Sequence, residues 1–186
     1  AAGDARDNLG ATLGKLVAKG KIAQDAADAA LALLKPVATI EELSGCDMVV
    51  EAIVENLDAK RGLLTQLEGI VDAECILATN TSSLSVSAIA TACRHPQRVA
   101  GFHFFNPVPL MKVVEVIDGI ATDPAVSDAL LELARRMGHT GVRAKDTPGF
   151  IVNHAGRAYG TEALKILGEG VAQQGEVDRI LREGAG

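Results

Sequence analysis

One histidine and one carboxylate stand out because of the residues around them. His103 lies in Gly101-Phe102-His103-Phe104-Phe105-Asn106-Pro107-Val108-Pro109, and Glu115 in the return Lys112-Val113-Val114-Glu115-Val116-Ile117. An imidazole set against a buried carboxylate is an oriented general base, because the carboxylate fixes the tautomer and stabilises the imidazolium formed when a proton is taken. Each residue also has a plainer explanation. A histidine near the end of an apolar strand is more often a satisfied core residue or a loop hydrogen-bonder. A glutamate in a β-branched run either faces water on a sheet edge or is paired, since a buried carboxylate without a partner is costly.

The elements that must carry these two groups can be read from pattern. Arg98 to Phe105 alternates and then runs apolar as a buried strand does, Pro107 and Pro109 forbid its continuation, and Val113 to Ile117 is again β-branched. Two strands so placed let His103 and Glu115 meet. Upstream, Met48 to Val54 reads as a strand that leads through Glu55-Asn56 into a helix with Leu57, Leu63, Leu64 and Leu67 on its apolar side. Cys75 to Thr79 repeats the pattern, followed by the polar turn Asn80-Thr81-Ser82-Ser83 and a short helix from Val86 to Ala92. Successive strand–turn–helix units predict an α/β fold: a Rossmann-like, mostly parallel sheet with right-handed crossovers and helices on both faces. Open sheets of this kind bind ligands at the carboxyl ends of their strands, where Glu55, Ser82, His103 and Asn106 all fall.

The flanks are helical. Asp4 to Lys19 sets Leu9, Leu13, Leu16 and Val17 on one face and is closed by Gly20; Gln24 to Lys35 is ended by Pro36, and Val37 to Ile40 reads as an extended edge piece. Asp123 and Pro124 open a helix stopped by Gly138, and His139 to Ala144 is a further strand. Lys145 to Pro148 reads as a hinge, followed by helical stretches from Ile151 to Glu169 and from Val177 to Arg182. The expected division is a dinucleotide-binding domain over 1–145 and the start of a helical domain over 146–186.

Composition narrows the function class. The 186 residues suffice for one full core, and a net charge of -6 without a dense Lys/Arg cluster argues against nucleic acid as a partner. Cys46, Cys75 and Cys93 are odd in number and widely spaced, which suits reduced cytoplasmic thiols better than disulfides or a metal site, so no metal is expected. No apolar run is long enough to cross a bilayer and no secretory signal pattern opens the chain, so a soluble, cytoplasmic protein without a membrane partner is expected.

Four ordered motifs carry a family resemblance: Asn80-Thr81-Ser82-Ser83-Leu84, Gly101 to Pro107, Lys112 to Val116, and Asp146-Thr147-Pro148-Gly149-Phe150-Ile151-Val152-Asn153. Together with Val49 to Asn56 they resemble the 3-hydroxyacyl-CoA dehydrogenases, especially bacterial forms. The resemblance implies oxidation of the 3-hydroxyl of an acyl-CoA with NAD in a homo-oligomeric enzyme of fatty acid metabolism. By position it makes His103 the general base, Glu115 its carboxylate partner, and Ser82 and Asn153 the polar residues around the substrate hydroxyl and carbonyl. Glu55, Lys60, Ser82 and Asn106 match positions that line the nicotinamide half of the cofactor. Two alternatives stand beside this reading: a non-enzymatic relative that keeps the fold, as a lens crystallin of the family does, and a different Rossmann dehydrogenase acting on hydroxy acids.

The departures from the family pattern are equally specific. Neither Gly10/Gly14/Gly20 nor Gly168/Gly170/Gly175 gives the G-x-G-x-x-G spacing after a strand that holds a dinucleotide pyrophosphate. The chain therefore reads as a fragment, expected to bind NAD weakly, to turn over little by itself and to self-associate.

Overall fold

The computed structural model describes residues 2–184; Ala1, Ala185 and Gly186, at the ends of the two expected domains, lie outside the described residues. The chain divides into two compact units, one of residues up to Cys46 with Ile70–Asp72, the other of Asp47–Gly69 with the rest. The first unit holds α1 (Ala2–Ala18), α2 (Gln24–Ala32) and a 3₁₀ turn at Ile40–Leu43. Gly20, at φ 65°, ends α1 by letting its own N–H reach Val17 O (2.8 Å) and that of Lys21 reach Leu16 O (2.9 Å), a closure that needs a left-handed residue. The extended piece expected at Val37 to Ile40 is not a strand. Thr39 and Glu42 form a capping box, with Glu42 Oε1 accepting from the Ala38 and Thr39 N–H groups at 2.8 and 3.2 Å, and this local bonding winds Ile40–Leu43 into the 3₁₀ turn.

In the second unit the described residues form a five-stranded sheet in the order β1 (Met48–Glu51), β2 (Ile76–Thr79), β3 (Val99–Phe104), β4 (Val113–Asp118), β5 (Thr140–Lys145). The β1/β2, β2/β3 and β4/β5 pairs are parallel and β3/β4 is antiparallel, giving the expected mostly parallel sheet. The intervening helices are α3 (Leu57–Glu68), α4 (Val86–Ala90) and α5 (Pro124–Arg136), and α6 (Val152–Gly168) and α7 (Gln174–Gly184) follow β5. The first strand stops at Glu51 rather than running to Val54. Its partner β2 offers residues only up to Thr79, and the Ile53 N–H donates to the Glu51 carboxylate at 3.1 Å instead of to a neighbouring strand.

Alternation along β3 and β4 decides what each face carries. Ala100, Phe102, Val114 and Val116 pack with Leu130 and Ala134 of α5 in one apolar cluster. The opposite face carries Gly101, His103, Glu115 and Ile117, with Val86 of α4, Ala144 and Phe150 packed around Ile117. Gly101 must lack a side chain: a Cβ there would stand 2.8 Å from both Ile117 Cβ and Cδ1. A one-residue slip between β3 and β4 would put His103 and Glu115 on different faces, so the apolar packing on α5 is what fixes their encounter.

Candidate active site

His103 and Glu115 are directly opposite each other across the antiparallel β3/β4 pair, and their side chains share the α4 face. His103 Nδ1 lies 2.7 Å from Glu115 Oε2; the histidine is 5% exposed and the glutamate 0%. Glu115 Oε1 accepts the backbone N–H groups of Ile151 (2.8 Å) and Val152 (2.9 Å) at the start of α6. The carboxylate is thus met by three donors, which answers the cost of burying it. An ionised carboxylate can only accept, so the ring donates its Nδ1–H to Glu115 and Nε2 is left as the nitrogen able to accept and return a proton. Phe105 and Phe150 flank the imidazole at centroid distances of 4.5 and 5.7 Å. Phe150 is buried at φ 50°, after Gly149 at φ 78°, so the chain between β5 and α6 turns through two left-handed residues to bring the Ile151 and Val152 N–H groups onto Glu115.

The turn Asn80–Ser83, after β2, is tied down on three sides. Asn80 Oδ1 accepts the Phe104 N–H at 2.8 Å, one residue beyond His103. Asn153 Nδ2 donates to Ser82 O at 3.3 Å, joining α6 to the same turn. Glu55 Oε1 accepts from Thr81 Oγ1 (2.6 Å), Ser82 N (3.0 Å), Ser83 N (3.2 Å) and Ser83 Oγ (3.1 Å). Partial burial acts to raise the Glu55 pKa, but the bonds from Thr81, Ser82 and Ser83 and the nearby Lys60 ammonium outweigh it and hold the group at about 2. Asp146, at the end of β5, caps α4 from outside by accepting from Ser85 Oγ (2.7 Å), Val86 N (3.0 Å) and Ser87 N (2.7 Å).

Residues 1–147 match the family model "3-hydroxyacyl-CoA dehydrogenase, NAD binding domain", and residues 149–186 match the C-terminal domain of the same family. The chain belongs to the 3-hydroxyacyl-CoA dehydrogenase family. It is 44% identical over 180 residues to a 3-hydroxyadipyl-CoA dehydrogenase of Escherichia coli, covering 97% of this chain and 38% of that protein. A probable 3-hydroxybutyryl-CoA dehydrogenase of Deinococcus radiodurans is 42% identical, with 93% of this chain and 62% of that protein covered. Among solved structures, a 3-hydroxybutyryl-CoA dehydrogenase from Escherichia coli superposes with a TM-score of 0.93 at 44% identity, over 98% of this chain and 39% of that one. The (S)-3-hydroxybutyryl-CoA dehydrogenase from Ralstonia eutropha gives 0.89 at 36% identity, over 94% of this chain and 62% of that one. The chain thus spans between about two fifths and three fifths of the length of these relatives.

Of the residues that the resemblance implies, His103, Glu115, Ser82 and Asn153 are linked at one end of the sheet by the bonds above. Glu55, Ser82 and Asn106 are exposed there. Lys60 is different: its side chain is 1% exposed, with Nζ 2.9 Å from both Glu51 oxygens, 3.3 Å from Glu55 Oε2 and 3.4 Å from Ile53 O. An ammonium has three N–H groups, and these acceptors use them. Glu51, which the sequence pattern does not single out, is the hub of this cluster and also accepts a hydrogen bond from Thr79 Oγ1. The signal that could have found it is the one that marked Glu115, a lone carboxylate within a β-branched run.

Proposed function

We propose that the protein containing this chain interconverts 3-hydroxyacyl-CoA and 3-oxoacyl-CoA with NAD, His103 acting as general base in oxidation and general acid in reduction and Glu115 orienting it. The observation that carries this reading is the 2.7 Å contact between His103 Nδ1 and Glu115 Oε2 on a buried, cross-strand pair. Oxidation of a secondary alcohol needs the hydroxyl proton removed, a task suited to the free imidazole nitrogen, and ketone reduction needs it returned. Ser82 and Asn153 flank the reacting oxygen in this reading, supported by the bond that joins them.

The polar, exposed positions of Glu55, Ser82 and Asn106 at the carboxyl ends of β1, β2 and β3 fit the nicotinamide end of NAD, with Lys60 acting behind Glu55. When bound, NAD supplies the two-electron acceptor and donor; orientation and proton movement belong to the residues above. The described residues contain no strand followed by a Gly-rich turn and helix, so the pyrophosphate would rest on residues other than these. The names of the relatives favour short or dicarboxylic acyl-CoA esters as substrates. The division into domains 1–145 and 146–186 is part of the proposal and is supported by the two family matches.

Two further parts of the proposal concern setting. Cytoplasmic residence is supported by the odd number and wide spacing of the three cysteines in the sequence. Among the described residues no helix is long and apolar enough to cross a membrane. Self-association is supported by an apolar cavity of about 320 Å³ on α6 and α7, lined by Tyr159, Ile166, Val171 and Ile180 among others.

The test is NADH consumption by the full-length protein with acetoacetyl-CoA and longer 3-oxoacyl-CoA esters, compared with its His103→Gln variant. Turnover by the parent and a loss of about 10²- to 10⁴-fold in the variant is expected; absence of turnover in the parent, or near-normal turnover in the variant, would defeat the assignment.

A further inference from the structure

We infer that Glu51 is a positioning residue for this reaction, holding the Asn80–Ser83 turn, and with it Ser82, in register with His103 through Thr79 and Lys60. The inference rests on the proposed reaction and extends it to a residue that touches no reactant. Two chains of bonds run from the Glu51 carboxylate to the turn. In the first, Glu51 Oε1 accepts the Thr79 hydroxyl, whose oxygen accepts the Thr81 N–H at 3.2 Å. In the second, Lys60 Nζ joins Glu51, at 2.9 Å, to Glu55 Oε2, at 3.3 Å, and the other Glu55 oxygen gathers the Ser82 and Ser83 N–H groups. The Glu51 backbone adds a third tie, its carbonyl accepting the Asn80 N–H at 2.9 Å.

The far side of the same turn is bonded to the strand that carries the base and to α6. Asn80 Oδ1 takes the Phe104 N–H and Ser82 O takes the Asn153 amide, so the turn is a spacer held between the Glu51 cluster and the His103 strand. Stability alone does not account for the cluster. Replacing a buried ion pair by apolar groups of similar volume is often neutral or stabilising, whereas a hydrogen-bonded pair specifies one geometry. The geometry specified here also decides what Glu55 presents outward: with Lys60 turned inward, its side chain, 37% exposed, faces the cofactor edge as a fixed anion with both oxygens oriented.

The experiment uses the full-length protein and the double variant Glu51→Gln/Lys60→Met, which removes both buried charges together; Glu51→Gln alone would leave the Lys60 ammonium under-compensated and risks misfolding. Three readouts are needed: the denaturation midpoint, the steady-state constants for acetoacetyl-CoA and NADH, and hydrogen exchange at the Ser82 and Ser83 amides. A purely structural pair predicts that midpoint and rate are kept together. Positioning predicts a midpoint near that of the parent, a KM for acetoacetyl-CoA little changed, and kcat lower by about 10- to 100-fold, the scale of a small misplacement at a reacting centre. The two amides should exchange at least about tenfold faster as the turn loosens. Normal kcat, or Ser82 and Ser83 amides as protected as in the parent, overturns the inference. Failure of the parent to turn over any 3-oxoacyl-CoA ester would instead defeat the reaction reading, while amide exchange still reports whether Glu51 holds the turn.

Discussion

Replacing Glu115 by glutamine changes one atom and sets two demands against each other. Oε1 serves two backbone donors, Ile151 N and Val152 N, and Oε2 serves the His103 ring. If the new carbonyl oxygen faces the backbone, the new NH₂ faces Nδ1, which must then accept; the ring proton moves to Nε2 and the nitrogen needed as a base becomes a donor. If the amide is reversed, two buried N–H groups lose their acceptor, at about 1–3 kcal/mol each. The first orientation therefore wins by about 2–6 kcal/mol, and the histidine changes tautomer. Stability should fall by only about 1–4 kcal/mol, as the three charge-assisted bonds become neutral ones, while kcat should drop by about 10²- to 10⁴-fold, the usual worth of general acid-base catalysis. Urea unfolding and NADH-linked turnover of the full-length protein measure these two quantities, and nitrogen NMR of the imidazole reads the tautomer directly. A folded variant with kcat within about threefold of the parent, or with the proton still on Nδ1, would refute the reasoning.

Three other substitutions probe what positions the pair. Gly101→Ala places a Cβ 2.8 Å from Ile117 and should cost about 1–3 kcal/mol of stability in a denaturant titration, since β3 and β4 have no room to part without moving Glu115. Phe150→Ala removes a ring that is 4% exposed, packed with Val86, Ile117 and Ala144, and should cost about 3–5 kcal/mol in the same measurement. For Asp146, burial acts to raise the pKa, but the bonds from Ser85, Ser87 and Val86 prevail and lower it from 3.8. A depressed carboxylate contributes stability that is present above its unfolded value and lost as pH falls through its folded one. Asp146→Asn should therefore be less stable than the parent at neutral pH and lose less between pH 3.8 and more acid conditions, as urea midpoints across pH would show.

Much of this site was legible in the sequence because prolines and alternation are strong local signals. Pro107 and Pro109 end one strand, the Val113–Ile117 run starts the next, and the short return between them leaves few ways to pair the two except antiparallel. The polar turn after β2 was equally plain. What stayed hidden depends on partners far along the chain. Nothing local in Met48–Val54 says that its strand ends at Glu51, because that limit is set by where β2 stops. Lys60 looks like any exposed helical lysine until Glu51 and Glu55 are seen to enclose it. The Thr39-x-x-Glu42 spacing, by contrast, was a local signal, and a capping box overrides the β-branched character of Val37 and Ile40.

In the proposed reaction, the two N–H groups at the start of α6 that bond Glu115 make that helix start a support of the proton-transferring pair. Should residues 149–152 leave their place, the carboxylate loses two of its three donors in the same event that unseats the helix. Order in this segment and alignment of the imidazole are then linked functions with one coupling free energy. Any ligand that favours the seated start of α6 must favour the aligned imidazole by the same factor, and the aligned imidazole must in turn raise the affinity for that ligand.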